Sequence, residues 1–248
     1  MTDQTNSKET GETPGLDSLV EDLFGLNLRG LNTIVQLLIS PKKVFTSARV
    51  SDWRRQYTPT LRLTFSIITV FMLLSFFWAA EESMMYQALL AQFEAAAAAA
   101  DNPPSPEALR ETLDRVFAAY AFLYPFIYML LHGLVASLIF FWGRGTGWVT
   151  RVRLYFALLA VGMSVSLASM LITPFLDADM LGWFTVIGMS IGLFAYWITY
   201  VRGMSGTHGR LGVFVRATFI ALIITFVDLL IGGVSGYSAG FWVSRFGA

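Results

Sequence analysis

The residue most able to do chemistry in this chain is Asp228. It stands in Thr225–Phe226–Val227–Asp228–Leu229–Leu230 and is the one acid well inside an apolar run. Along a helix rising ~1.5 Å per residue it lies about 18 Å from Arg216. A lone carboxylate at that depth costs roughly 2.5–3.5 kcal/mol on insertion scales, and burial disfavours the charged form of any carboxyl group. Asp228 is therefore expected to face other helices and either pair or hold a proton. His132, in Leu130–Leu131–His132–Gly133, is the one histidine inside an apolar run. Counted from the basic ends of their runs, the two residues fall within roughly two turns of the same depth, which allows a contact between them but does not require one. Two roles follow: a proton-linked or ligand-gating pair, or a buried hydrogen bond that fixes helix register. The second is the simpler. A third option is that Asp228 reaches toward the outer headgroups.

A second string invites a catalytic reading. Gly203-Met204-Ser205-Gly206 resembles the Gly-x-Ser-Gly of rhomboid proteases, and His208 is close by. The context differs on three counts. The string sits in a basic connection and not at a helix start inside the membrane. His208 is too near in sequence to be a base from a separate helix, and the chain has five apolar runs against a six-helix core. Ser205 is expected to lie in a glycine-rich turn, and the chain to be no enzyme. There is no cysteine, which excludes disulfides, thiolate metal sites and thiol nucleophiles. No HExxH, P-loop or nucleotide fingerprint occurs, so no metal or cofactor is expected. Seventeen bases balance seventeen acids, and nothing points to nucleic acid.

The leading expectation is a non-enzymatic membrane protein acting by lipid or protein interaction at a cytoplasmic basic-aromatic face, with a small transporter or channel component using Asp228 as the alternative. Lys42, Lys43, Arg49, Trp53, Arg54, Arg55, Tyr57 and Arg62 cluster ahead of the first apolar run. Cations mixed with aromatic rings suit a headgroup layer, each cation adding up to ~1 kcal/mol of attraction to anionic lipid. The cluster is read as the anchor of the first span, with a dedicated docking surface for lipid or a membrane-protein partner as the alternative. Small residues at fourfold spacing mark expected helix contacts: Gly188 and Gly192, then Gly232, Gly236 and Gly240, with Gly162 and Ser166 in the third run. Packing within the monomer is the default, and homo-oligomerisation the alternative.

These residues must be positioned by membrane helices. The chain is 55% hydrophobic and 14% charged, and its apolar runs, 61–80, 116–142, 154–176, 181–201 and 212–233, each match a hydrocarbon core of ~30 Å. The connections alternate in charge. Glu81, Glu82, Glu94, Asp101, Glu107, Glu111 and Asp114 follow the first run; Arg144, Arg151 and Arg153 the second; Asp177 and Asp179 the third; Arg202, Arg210 and Arg216 the fourth. Because Lys and Arg stay on the cytoplasmic side, the N-terminus is expected inside and the C-terminus outside. The expected fold is an all-α polytopic bundle of five spans.

Ahead of the spans, residues 1–14 read as a disordered tail, too polar to bury a core. Residues 15–60 read as cytoplasmic amphipathic helices lying at the interface, with Leu16, Leu19, Val20, Leu23 and Phe24 on one face. Ser40 and Pro41 mark a helix start. The external loop 81–115 reads as a helical hairpin. Met84–Ala100 is expected to prolong the first span outward, and Ser105-Pro106-Glu107 to start the next helix. Pro125 and Pro174 are expected to kink or end their helices.

The stretch 31–74 carries a resemblance. Thr33-Ile34, Leu37-Leu38, Pro41, Val44-Phe45, Arg54-Arg55, Tyr57-Thr58-Pro59 and Leu61-Arg62-Leu63 occur in that order before the first span. This resembles an uncharacterised bacterial inner-membrane domain family, whose members often begin with a cysteine-rich zinc ribbon that is missing here. The wider architecture is similar to the Yip-type membrane-trafficking family. The resemblance implies a five-span fold in a bacterial inner membrane and brings no catalytic residues.

Overall fold

The structure is a computed structural model that describes residues 28–246 apart from 51, 52, 54, 55, 79, 99–103, 144, 207 and 208. The expected tail 1–14, the amphipathic stretch up to Asn27, Arg54, Arg55 and His208 lie outside the described residues. Those described form eight α-helices: α1 (Leu28–Ile39), α2 (Pro41–Val50), α3 (Thr60–Leu74), α4 (Met84–Ala98), α5 (Pro106–Leu138), α6 (Trp148–Met170), α7 (Ala178–Gly203) and α8 (Arg210–Phe246). Short 3₁₀ turns, Ser75–Phe77 and Thr173–Phe175, follow α3 and α6. Five helical segments are long and apolar enough to cross a membrane: Thr60–Phe77, Pro106–Leu138, Trp148–Phe175, Asp179–Gly203 and Arg210–Ser235.

α6 is the axis of the bundle. Every residue from Leu154 to Met163 is buried, as expected of a helix that is apolar on all sides. It packs against α3, α5 and α7, while α8 closes the bundle between α5 and α7. Two hydroxyls tie α3 to the axis: Thr60 Oγ1 donates to the Arg153 carbonyl at 2.7 Å, and Thr64 Oγ1 to the Phe156 carbonyl at 3.1 Å. α1 and α2 cover one end of the bundle. Phe45 on α2 packs edge-on against Trp142, and Trp142 against Tyr200 on α7. A Cβ on Gly203 would lie 2.6 Å from the Phe45 ring, so glycine is what lets α2 press onto the end of α7.

Local signals set most boundaries. Ser105 accepts from the Ala108 amide, with Pro106 next and Glu107 in the first turn. Asp177 accepts from the Met180 amide at 2.7 Å and starts α7 in the same way. Pro41 opens α2, and Pro174 sits in the turn that follows α6.

Two expectations are corrected. The helix at Met84 does not prolong the first span: the chain turns after Phe77, and Ser83 caps α4 by accepting from the Tyr86 amide at 3.1 Å. The second span stops at Leu138, not Trp142, because the next residues leave the helix and the Phe141 carbonyl accepts instead from Tyr200 Oη at 2.6 Å. Of the two outcomes expected at Pro125, a kink or an end, the helix does not end, and α5 runs on for 33 residues. The fifth span keeps its expected place, with the helix continuing past Gly232, Gly236 and Gly240 to Phe246. Single glycines cost a helix only about 1 kcal/mol each, which apolar neighbours on either side offset.

Candidate functional site

One side chain from each of four spans meets at the centre of the bundle. His132 on α5 is fully buried, and its Nε2 lies 3.0 Å from Asp228 Oδ1 on α8. The other ring nitrogen, Nδ1, lies 2.9 Å from Tyr155 Oη on α6. Tyr196 Oη on α7 donates to Asp228 Oδ2 at 3.1 Å. The result is an unbroken line of hydrogen bonds, Tyr155–His132–Asp228–Tyr196, in which both carboxylate oxygens and both imidazole nitrogens are used.

Such a line has two proton arrangements of the same geometry. If Asp228 is a carboxylate, Nε2–H donates to it and Nδ1 accepts from Tyr155. If Asp228 carries the proton, it donates to Nε2, and Nδ1–H donates to Tyr155. The second arrangement holds one proton more than the first, so switching between them takes up or releases one proton and flips the imidazole tautomer without moving a helix. Below His132 on α5, Tyr128, Tyr124 and Tyr120 follow at every fourth position. Successive ring centroids are 4.3, 5.7 and 5.3 Å apart, so the imidazole is held by aromatic packing as well as by hydrogen bonds. The buried hydroxyl of Tyr128 has no partner among the described residues.

Tyr196 can reach Asp228 because of a glycine. A Cβ at Gly162 on α6 would lie 2.1–2.2 Å from the Tyr196 ring and hydroxyl. The ring occupies the space where any other residue would place its side chain.

Asp228 is open on one side. Its side chain keeps 31% of its surface exposed, while that of His132 keeps none. The exposed side faces a cavity of about 290 Å³ bounded by α3, α5, α6, α7 and α8, toward the end of the bundle where α3 and α6 finish. Tyr124, Tyr196, Ser166, Thr225 and Gly188 contribute to its wall. Among its described lining residues, Asp228 is the one charged group.

Compared with known proteins, the chain matches no protein family, no curated protein and no solved structure. Its chemistry has to come from the site.

The other expected site residues are scattered by comparison. Lys42, Lys43 and Arg62 are exposed, whereas Trp53 and Tyr57 pack partly buried against the core. Arg49 is turned inward: its guanidinium donates to the Trp142 carbonyl at 3.0 Å and lies 3.3 Å from Met204 Sδ. Arg202 does similar work, donating to the carbonyls of Leu38 and Ile39 at the end of α1. Ser205 Oγ donates to the Arg202 carbonyl, as expected of a turn serine.

The small-residue expectation needs correcting. A Cβ on Gly188, Gly192 or Gly232 would meet nothing within 4 Å, so these glycines do not bring helices together inside the chain. Gly188 and Gly192 line the cavity instead. The packing around Gly236 and Gly240 lies outside the described residues. The contacts that do require glycine are at Gly162 and Gly203. Among the described residues, no three His, Cys, Asp or Glu side chains gather as metal ligands would.

Sequence reasoning missed Tyr155, Tyr196 and the cavity. Tyrosines are common in spans and nothing in their spacing marks these two. The one usable signal was the arithmetic of Asp228, which has more hydrogen-bonding capacity than a single histidine can satisfy.

Proposed function

We propose that this chain is a non-enzymatic integral protein of a bacterial inner membrane, working as a small transporter or transporter component through a proton-linked site at Asp228. Its N-terminus is cytoplasmic and its C-terminus external, by the bias of Lys and Arg toward the α2 end. The large apolar side chains exposed along the bundle, such as Phe65, Phe122, Phe126, Leu130 and Phe226, then face lipid.

The observation that carries this reading is the asymmetry at Asp228. The carboxyl group is held by His132, itself bonded to Tyr155, and by Tyr196, while a cavity lined in part by Tyr196 opens beside it. A hydrogen bond needed only for helix register has no use for the open side, and intramembrane acids beside cavities mark ion and proton paths. The cavity lies in the outer half, so exchange with the outside is the short step. The test is the carboxylic C=O stretching band of the protein in liposomes, followed by infrared difference spectroscopy across pH. The wild type gains and loses this band with pH, and Asp228→Asn lacks it. A band that stays constant at every pH, with the variant merely less stable, would reduce the cluster to a structural tie.

A second reading is supported by the cytoplasmic end. Lys42, Lys43 and Arg202 share a groove of about 390 Å³ beside Pro41, Thr46 and Ser205, with no acid among its described lining. It suits anionic lipid or an acidic segment of a membrane-protein partner. Charge reversal at Lys42 and Lys43 should weaken association with anionic liposomes. Unchanged association removes the support.

A further inference from the structure

The walls of the cavity select a kind of ligand, and we infer that the site takes a small organic cation with an apolar body, held by Asp228 as counter-ion. The inference rests on the proposed site at Asp228 and names what enters it. Three features of the lining lead there. The single charge in the described wall is negative, so an anion entering this apolar space would meet repulsion with no compensating base. The wall is aromatic: Phe71, Trp78, Tyr124, Phe184 and Tyr196 surround the space in front of the carboxyl group. Aromatic faces attract a desolvated cation that has no hydrogen bonds to offer, which is how quaternary ammonium groups are recognised. The remaining surface combines thioether and aliphatic groups, from Met163, Met170, Met189 and Leu193, which accommodate an apolar body of varied shape, with the hydroxyl residues Ser166, Ser169, Thr173 and Thr225.

Size narrows the class. At about 290 Å³ the cavity is at the small end of ligand pockets, which run from about 300 to 1,000 Å³. A molecule with one ring and one ammonium group is the right scale. Gly188 and Gly192 set that limit, since both line the cavity and a side chain on either would extend into open space.

Competition between ligand and proton follows. A cation gains from Asp228 only while the carboxyl group is ionised, so binding a proton and binding the ligand exclude one another. The titratable groups facing Asp228 are His132, Tyr124 and Tyr128 from α5, Tyr155 from α6 and Tyr196 from α7; none of the described residues around it is Lys or Arg. A proton leaving Asp228 as the cation arrives departs through the cavity or passes to His132.

The experiment measures binding of benzyltrimethylammonium to the full chain in lipid nanodiscs by equilibrium dialysis, beside its neutral carbon isostere neopentylbenzene. The cation is expected to bind at least about tenfold more tightly than the isostere, the difference that a desolvated cation–aromatic contact and a counter-ion supply. Acidification should abolish that preference. Asp228→Asn should remove it, and Gly188→Leu should block both compounds while leaving the Asp228 carboxyl band in place. Equal binding of cation and isostere to the wild type overturns the inference, and that comparison needs no variant to fold. Absence of cation binding while the carboxyl band still titrates overturns the ligand class alone. Loss of both takes the proposed site with it.

Discussion

Two places in this bundle hold polar side chains against apolar walls, and they are built differently. At the α2 end, Arg202 gives its guanidinium hydrogens to carbonyls left over at the end of α1, and Arg49 gives its own to the Trp142 carbonyl in the turn after α5. Around them Phe45, Trp142 and Tyr200 close the space ring against ring. At the centre, Asp228 and His132 are bonded directly, side chain to side chain, with a tyrosine at each end, and a cavity is left beside them. A cation on carbonyls has one protonation state and one geometry. A carboxyl group on an imidazole has two states in the same geometry. The first arrangement fastens the fold, and the second can work within it.

Breaking each place should therefore give a different signature. The largest loss is expected for Arg49→Ala, which removes a charge-assisted hydrogen bond worth about 1.5–3 kcal/mol and leaves the Trp142 carbonyl with the single 3.3 Å bond from Thr146 Oγ1. Thermal unfolding in detergent should show it, with the Asp228 carboxyl band unaltered. His132→Ala should cost about 1–3 kcal/mol by stranding one carboxyl oxygen and the Tyr155 hydroxyl, and it must also alter that band. If the two variants behave alike in the infrared, the distinction between fastening and working sites fails. Gly162→Ala sharpens it further. Its new methyl would collide with the Tyr196 ring, and overpacking of this kind costs about 1–3 kcal/mol. The variant should also lose the Tyr196–Asp228 hydrogen bond, detected as a change in the tyrosine spectrum that Gly188→Ala does not produce.

A smaller effect tests the outer hairpin as a control. Tyr86 is buried against Leu90, Leu109 and Leu113, and its hydroxyl donates to Asp114 Oδ1 at 3.1 Å. Burial first, and then this hydrogen bond and the Asp114 charge, push the Tyr86 phenol above its usual 10.0. A phenol raised by folding lends stability that is intact below the unfolded value near 10 and is lost as pH rises through the folded one. Hydrogen exchange in α4 should accelerate above that pH in the wild type, and Tyr86→Phe should flatten the dependence at a cost of about 1 kcal/mol. The least disturbance to folding is expected from the double charge reversal Lys42→Glu and Lys43→Glu, within about 0.5 kcal/mol for exposed positions.

How much of this was legible beforehand depended on whether the signal was local. The caps at Ser105 and Asp177 were readable because a short polar side chain and the amides it serves lie within one turn. The five spans were readable from length and apolarity. The pairing of His132 with Asp228 was within reach because charged groups in lipid are costly enough to demand a partner. Tyr155 and Tyr196 were hidden since a tyrosine can satisfy its one hydroxyl in many ways. The glycines misled for a related reason: fourfold spacing places Gly188 and Gly192 on one face but does not say what the face meets. It meets a cavity. The glycine that matters most to the cluster, Gly162, is identified by the ring that fills its place, and that is a property of another helix.

Pro125 gives α5 a mechanical character. Proline has no amide hydrogen to return to the carbonyl four residues earlier, at Ala121, so the helix is continuous in outline but one bond short there. That is the point at which α5 bends at least cost, and it lies seven residues from His132, on the side toward α4. The arm beyond it, toward Pro106, carries the hairpin with α4. Because α4 packs against the Thr173–Phe175 turn and α7 as well as α5, a push on that hairpin is shared between those elements and a change of angle at Pro125, beside Tyr124 in the cavity wall. The hairpin is thus joined to the cavity through several of its walls, and the hydrogen-bonded line lies behind them.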